Sequence, residues 1–236
     1  MTESNNQETI WVLGMIVILG IIALGIFAFA ALIPGSPVIA LFGKLFDVLF
    51  AASSVQALWY VTRAAGVMAY LLLWLSTAWG LAVSSKILDP LLQRFFTYDM
   101  HQFISLLALG FIALHVVVLL ADKYLPFSIA QILVPFAASY RPVWVGVGVI
   151  GFYLTLLVSV TFYLRQRIGF QMFRVIHYAS FVAYLAALAH GLLAGTDSSL
   201  WTVQLMYTAS ALIVVFLFVY RIVMALPSLQ PARSAR

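Results

Sequence analysis

Residues 99–121 read D-M-H-Q-F-I-S-L-L-A-L-G-F-I-A-L-H-V-V-V-L-L-A, and this stretch decides the fold. A helix needs about 20 apolar residues to cross a hydrocarbon layer about 30 Å thick, and the run from His101 to Ala121 meets that length. It also carries two histidines, His101 and His115. Polar groups at membrane depth are costly and face the interior of a helix bundle, where they pair, hydrogen-bond or ligate.

Five further runs have the same character: Ile10 to Ile33, Ala57 to Val83, Val143 to Leu164, Val175 to Leu193 and Trp201 to Val223. The expected fold is therefore an all-α membrane protein, a six-transmembrane-helix bundle. The composition agrees, since 65% of the 236 residues are hydrophobic and 8% are charged, far from the balance of a water-soluble domain. Residues 1–9 are expected to form a cytoplasmic tail and 10–33 the first transmembrane helix. An extracytoplasmic loop follows at 34–56, then a five-helix core at 57–225 and a cytoplasmic tail at 226–236. Within the loop, Val38 to Phe50 is apolar but interrupted by Lys44 and Asp47 after Pro34 and Pro37, the pattern of a short interfacial helix. Met1 to Thr9 holds Glu3 and Glu8 but no Lys or Arg, unlike a secretory signal, so the first helix is expected to be retained.

Charge sets the expected orientation. Lys86, Arg94, Arg165, Arg167, Arg174, Arg221, Arg233 and Arg236 fall on one side of the six spans, and Lys44, Arg63, Lys123 and Arg141 on the other. The richer side is cytoplasmic by the positive-inside rule, which places both termini there. The net charge of +5 is scattered between apolar runs and forms no nucleic-acid stripe. Cysteine is absent, which excludes disulfides, thiolate metal sites and covalent C-x-x-C-H haem attachment. Gly146, Gly148 and Gly151 lie inside an apolar run, where they serve close helix packing and not dinucleotide binding.

All four histidines of the chain lie in two spans, His101 and His115 in the third and His177 and His190 in the fifth. Their spacings of 14 and 13 residues correspond to rises of about 21 and 20 Å. Two rungs result, His101 facing His177 and His115 facing His190, if both helices run in the same direction. Opposed neutral imidazoles are the axial ligands of a six-coordinate haem, so two haems are expected between helices 3 and 5. Ser105, Ala108, Ser180, Ala183, Ala186 and Ala187 would leave room for them. One detail resists: 14 steps return to within about 40° of the starting face, but 13 steps land about 140° away. Three other uses of the histidines compete: hydrogen bonds between helices, a zinc or iron site, and a proton or metal path of a transporter. The spans hold no carboxylate to complete a metal site or a proton path.

From Trp59 to Arg221 the chain resembles the ferric reductase-like transmembrane family, which includes the membrane parts of ferric reductases and NADPH oxidases and the haem subunit of methionine sulfoxide reductases. The residues that carry the resemblance are T-R-A-A-G at 62–66, D-M-H-Q at 99–102, A-L-H at 113–115, F-R-V-I-H-Y at 173–178 and A-H-G-L-L-A-G-T-D-S at 189–198. The resemblance implies that His101, His115, His177 and His190 ligate the iron of two b-type haems, in a cytochrome b-type oxidoreductase subunit for transmembrane electron transport. Many members append a flavin and nicotinamide domain, and this chain stops at Arg236. Electrons are then expected from a cytoplasmic partner carrying flavin or from quinol. They would pass to ferric iron, oxygen or a partner redox protein outside the inner membrane of a bacterium. A non-catalytic haem-binding relay or assembly subunit of a larger complex is the alternative.

Arg63, Arg141 and Arg174 are candidate partners of haem propionates, against snorkelling for Arg63 and plain topology signals for the other two. Asp197 is expected to cap the sixth helix, with orienting the neighbourhood of His190 as the alternative. Trp59 and Tyr98 read as interfacial anchors.

Overall fold

The computed structural model describes residues 57–226 together with Lys44, and all regular structure among them is helical. The first expected transmembrane helix, the terminal tails and, Lys44 apart, the expected interfacial helix lie outside the described residues. The described helices are α1 (Ala57–Ser84), α2 (Arg94–Ala121), α3 (Ile129–Leu133), α4 (Pro142–Ile168), α5 (Phe170–His177), α6 (Ala179–Ala194) and α7 (Trp201–Ala225). By length and apolarity α1, α2, α4, the α5–α6 unit and α7 are five membrane spans, and the chain is an integral membrane protein.

Two helices start earlier than the apolar runs suggest, α2 at Arg94 and α5 at Phe170. The residues that interrupt the apolar pattern, Arg94, Asp99 and Arg174, are exposed on helix that simply continues beyond the hydrocarbon layer. Loss of apolarity marks the membrane surface and does not end a helix. The short α3 was not expected, although S-I-A-Q at 128–131 spells its start. Ser128 Oγ accepts from the Gln131 N–H at 3.3 Å, and Gln131 Oε1 accepts from the Ser128 N–H at 2.9 Å, a reciprocal cap. Pro142 opens α4 at its first turn, where a missing N–H costs nothing, and Gly169, at φ 85°, turns the chain from α4 into α5.

The fifth span is not one regular helix. Just after His177 the bonding tightens to i→i+3, with Tyr178 N–H donating to the Val175 carbonyl and Phe181 N–H to that of Tyr178, both at 3.2 Å. Each such step turns about 120° instead of 100°. With α6 resuming at Ala179, this short break recovers part of the roughly 140° by which a 13-residue spacing misses its face.

The bundle is built from two helical hairpins. α1 packs along α2, and α4 along α6, while the two histidine-bearing helices, α2 and α6, have little direct contact. A gap therefore runs between them. α7 is fastened to the outside of α1 and α6 by an apolar cluster that includes Leu81, Tyr184 and Val214, and by polar contacts, which add specificity where lipid tails compete with apolar ones. Tyr70 Oη hydrogen-bonds Ser210 Oγ at 2.5 Å, Trp74 Nε1 donates to the Ser210 carbonyl at 3.0 Å, and the Tyr70 and Tyr207 rings lie 4.5 Å apart. Tyr70, Tyr184 and Tyr207 are all buried there. The opposite face of α7 exposes Leu212, Val215, Phe216 and Val219, the side chains of a lipid-facing helix.

Candidate functional site

α2 and the α5–α6 unit run in the same direction, as the four histidines show. The His101 and His177 rings have centroids 6.1 Å apart, and those of His115 and His190 are 6.4 Å apart. In each pair the ring planes make an angle of 77°. With about 2.0 Å from a metal to each imidazole nitrogen and about 1.1 Å more to each ring centre, two opposed ligands put their centroids about 6.2 Å apart. Both pairs have that separation. Among the described residues no group of three or more His, Cys, Asp or Glu gathers at one point, so the histidines stand as pairs.

The ring nitrogens are differentiated by the main chain. His115 Nδ1 lies 2.8 Å from the Thr62 carbonyl on α1, and His190 Nδ1 lies 2.9 Å from the Trp144 carbonyl on α4. A carbonyl only accepts, so Nδ1 carries the proton in each ring and Nε2 keeps the lone pair a metal needs. His101 and His177 differ, since each has a buried Nδ1 with no hydrogen-bond partner.

A cavity opens beside the His115/His190 pair, lined by apolar side chains with few polar ones. Gly66, Gly148, Ala187 and Ile132 are among its walls, and Trp59, Arg63, Tyr140 and Asp197 stand toward the loop end. Small residues were expected to make room for cofactors, and Ala187 does line this cavity. Ala108, Ala183 and Ala186 are buried and are not among the residues that line it. Of the three glycines expected to serve packing, Gly151 does so against Ala186, whereas Gly148 faces His190.

Arg63 lines the cavity and is ion-paired to Asp197, its Nε donating to Oδ2 at 2.7 Å and a terminal nitrogen meeting Oδ1. The expected Asp197 cap is not formed: Leu200 stands at the N-cap of α7, with no side-chain bond, and the carboxylate is spent on Arg63. The pair joins α1 to the loop after α6. Both side chains remain 30% exposed, so Asp197→Ala is expected to lower stability by about 1 kcal/mol, read from thermal unfolding in detergent. Arg141 reaches across to the Leu193 carbonyl at 2.7 Å and lies over the Tyr140 ring, tying the start of α4 to the end of α6. Arg174 is exposed on α5, one turn before His177. Trp59 packs against Tyr124, and Tyr98 is exposed near the start of α2, as anchors would be.

Geometry, tautomers and cavity together define a class: a helical membrane protein with two tiers of paired imidazoles and space between the helices that bear them. The family described as ferric reductase like transmembrane component matches residues 65–188, a little over half of the chain. The chain belongs to that family. No curated protein and no solved structure matches it.

Sequence reading found the four histidines but missed what holds them. Thr62, Gly66, Trp144 and Gly148 act through a carbonyl or through an absent Cβ, and neither has a composition signal. One clue was present: Gly66 and Gly80 are 14 residues apart on α1, the spacing of His101 and His115 on the antiparallel α2.

Proposed function

We propose that this protein is a di-haem, cytochrome b-type subunit that carries electrons across the membrane. The observation that carries this reading is the pair of facing imidazole tiers at the separation of opposed axial ligands, within a family of ferric reductase-like membrane components. His101 and His177 would hold one b haem, His115 and His190 the other. Bound haem supplies one-electron chemistry at an iron whose six-coordinate state favours electron transfer over gas binding.

The chain's own part is positioning and shielding. The Thr62 and Trp144 carbonyls hold His115 and His190 in one tautomer and raise their basicity as ligands. Separated hairpins leave the gap between α2 and α6, and apolar side chains such as Ile112, Val116 and Ala187 line it. Arg63 lines the cavity, and its guanidinium has five donors, of which Asp197 takes two, so it is suited to a propionate there as well. Arg141 is suited to a second outer propionate, and Arg174 to one at the His101/His177 tier.

The preponderance of Lys and Arg beyond the His101/His177 end supports a cytoplasmic face there, and both termini in the cytoplasm of a bacterial inner membrane. Electrons would enter on that side from a flavin-bearing partner or from quinol. They would leave beyond His115 and His190 to ferric iron, oxygen or a redox protein.

The test is the pyridine haemochrome assay on detergent-purified protein, with the dithionite-reduced spectrum. About two b haems per chain with low-spin spectra are expected. Protein without haem, after expression with ample haem supply, would sink the proposal.

A further inference from the structure

Three of the four histidines share one arrangement on the neighbouring helix. His115 meets Gly66 and the carbonyl of Thr62, and His190 meets Gly148 and the carbonyl of Trp144. His101 meets Gly80 and has the Ser76 carbonyl near it, short of hydrogen-bond geometry. In each case the carbonyl lies four residues before the glycine.

Helix geometry explains the offset. A helical carbonyl accepts the N–H four residues on and keeps a second lone pair. Cα–Cβ bonds tilt toward the helix N-terminus, so the Cβ at the fourth residue leans over that lone pair. A glycine there leaves room for the flat face of an imidazole to reach it. A Cβ on Gly148 would stand 2.5 Å from His190 Nδ1, one on Gly66 2.9 Å from His115 Nδ1, and one on Gly80 3.1 Å from His101 Cε1.

The fourth place is filled otherwise. Going back 13 residues from His190 to His177 corresponds to going forward 13 on the antiparallel α4, from Gly148 to Thr161. There the threonine hydroxyl itself donates to the carbonyl four residues earlier, Leu157, at 2.9 Å. His177 Nδ1 is left buried without a partner.

We propose that Gly66 and Gly148 are positioning residues, each opening a main-chain carbonyl that orients a histidine, that Gly80 leaves the same room for the His101 ring, and that His177 is the unseated ligand because Thr161 stands at the register position where its glycine would be. This rests on the haem reading above. It assigns the His115/His190 tier two seated ligands and the His101/His177 tier a loose one and none.

The test uses the full chain with Gly148→Ala, Gly66→Ala, Gly80→Ala and, as a packing control on α4, Gly151→Ala, whose Cβ would meet Ala186 and main-chain atoms of α6 but no histidine. Haem per chain and the EPR spectrum of the oxidised protein are measured. Loss of a partner that orients a metal-ligating His weakens binding about 10- to 100-fold, so Gly148→Ala and Gly66→Ala should each lose one haem. Gly80→Ala should keep both haems with a changed signal for one, and Gly151→Ala should match the parent. Thr161→Gly should alter the signal of the His101/His177 tier alone. Two haems with parental spectra in Gly148→Ala and Gly66→Ala would overturn the proposal, as would equal loss in Gly151→Ala; an unchanged spectrum in Thr161→Gly would overturn its second half.

Folding is checked separately. Gly148→Ala should lower the thermal midpoint when His190 is present but not in a His190→Ala background, because the collision is with that ring. Equal losses in both backgrounds would count against a seat. If the parent protein holds no haem, the functional reading fails by itself, and this comparison still decides whether Gly148 exists for His190.

Discussion

Alanine at His190 is expected to lower the haem content of the purified protein from two to about one per chain, while the remaining haem stays reducible by dithionite. His190 is held on two sides: its Nδ1 is 2.9 Å from the Trp144 carbonyl, and its ring fills the space that Gly148 leaves. No other histidine, and no methionine, lies within one helical turn of it to take its place. His115 alone would then face a cavity already open at one end. His101→Ala should remove the other haem instead, leaving the His115/His190 tier intact. The haemochrome assay and reduced spectra of the two variants check this pairing. Two haems retained in both would defeat it.

The second large effect is expected at Gly191, next to His190 but involved in none of its bonds. A Cβ there would collide with the Tyr207 hydroxyl and ring. Tyr207 cannot swing aside, because it is buried against Tyr70, whose hydroxyl is bound to Ser210 on the same helix. Relief has to come from moving α7 as a body. Gly191→Ala should therefore lower stability by about 1–3 kcal/mol, the usual cost of overpacking, with α7 loosening first. Thermal unfolding in detergent and proteolysis between α6 and α7 would show it. A midpoint equal to the parent's would mean that α7 is less firmly seated than its tyrosines indicate.

Much of the architecture was legible because a membrane enforces it. Length and apolarity located all five described spans, and the rule that polar groups face inward singled out the histidines. Their pairing followed from two nearly equal spacings. Where the reading stopped, the reason was physical. The early starts of α2 and α5 lie in the interfacial zone, where hydropathy fails to report helix. The 13-residue mismatch needed backbone detail, since nothing in Val175 to Phe181 announces tightened turns. Asp197 looked like a cap because its distance from Arg63, 134 residues away, is invisible in one dimension. The glycines were noticed only as packing residues, because a missing side chain is read from what it makes room for.

The matched spacing on α1 and α2 has a consequence for how such a chain can change. Gly66 and Gly80 are separated as His115 and His101 are, on helices running opposite ways. One residue inserted between His101 and His115 would rotate one ring by about 100° away from its glycine, and a compensating insertion in α1 would have to arrive at the same time. Loops can lengthen one residue at a time; this interval can do so only where the backbone also rewinds, as it does between His177 and Phe181. The distance between the tiers is thus set jointly by two helices, and neither can change its count without an answer in the other or a break in its own winding.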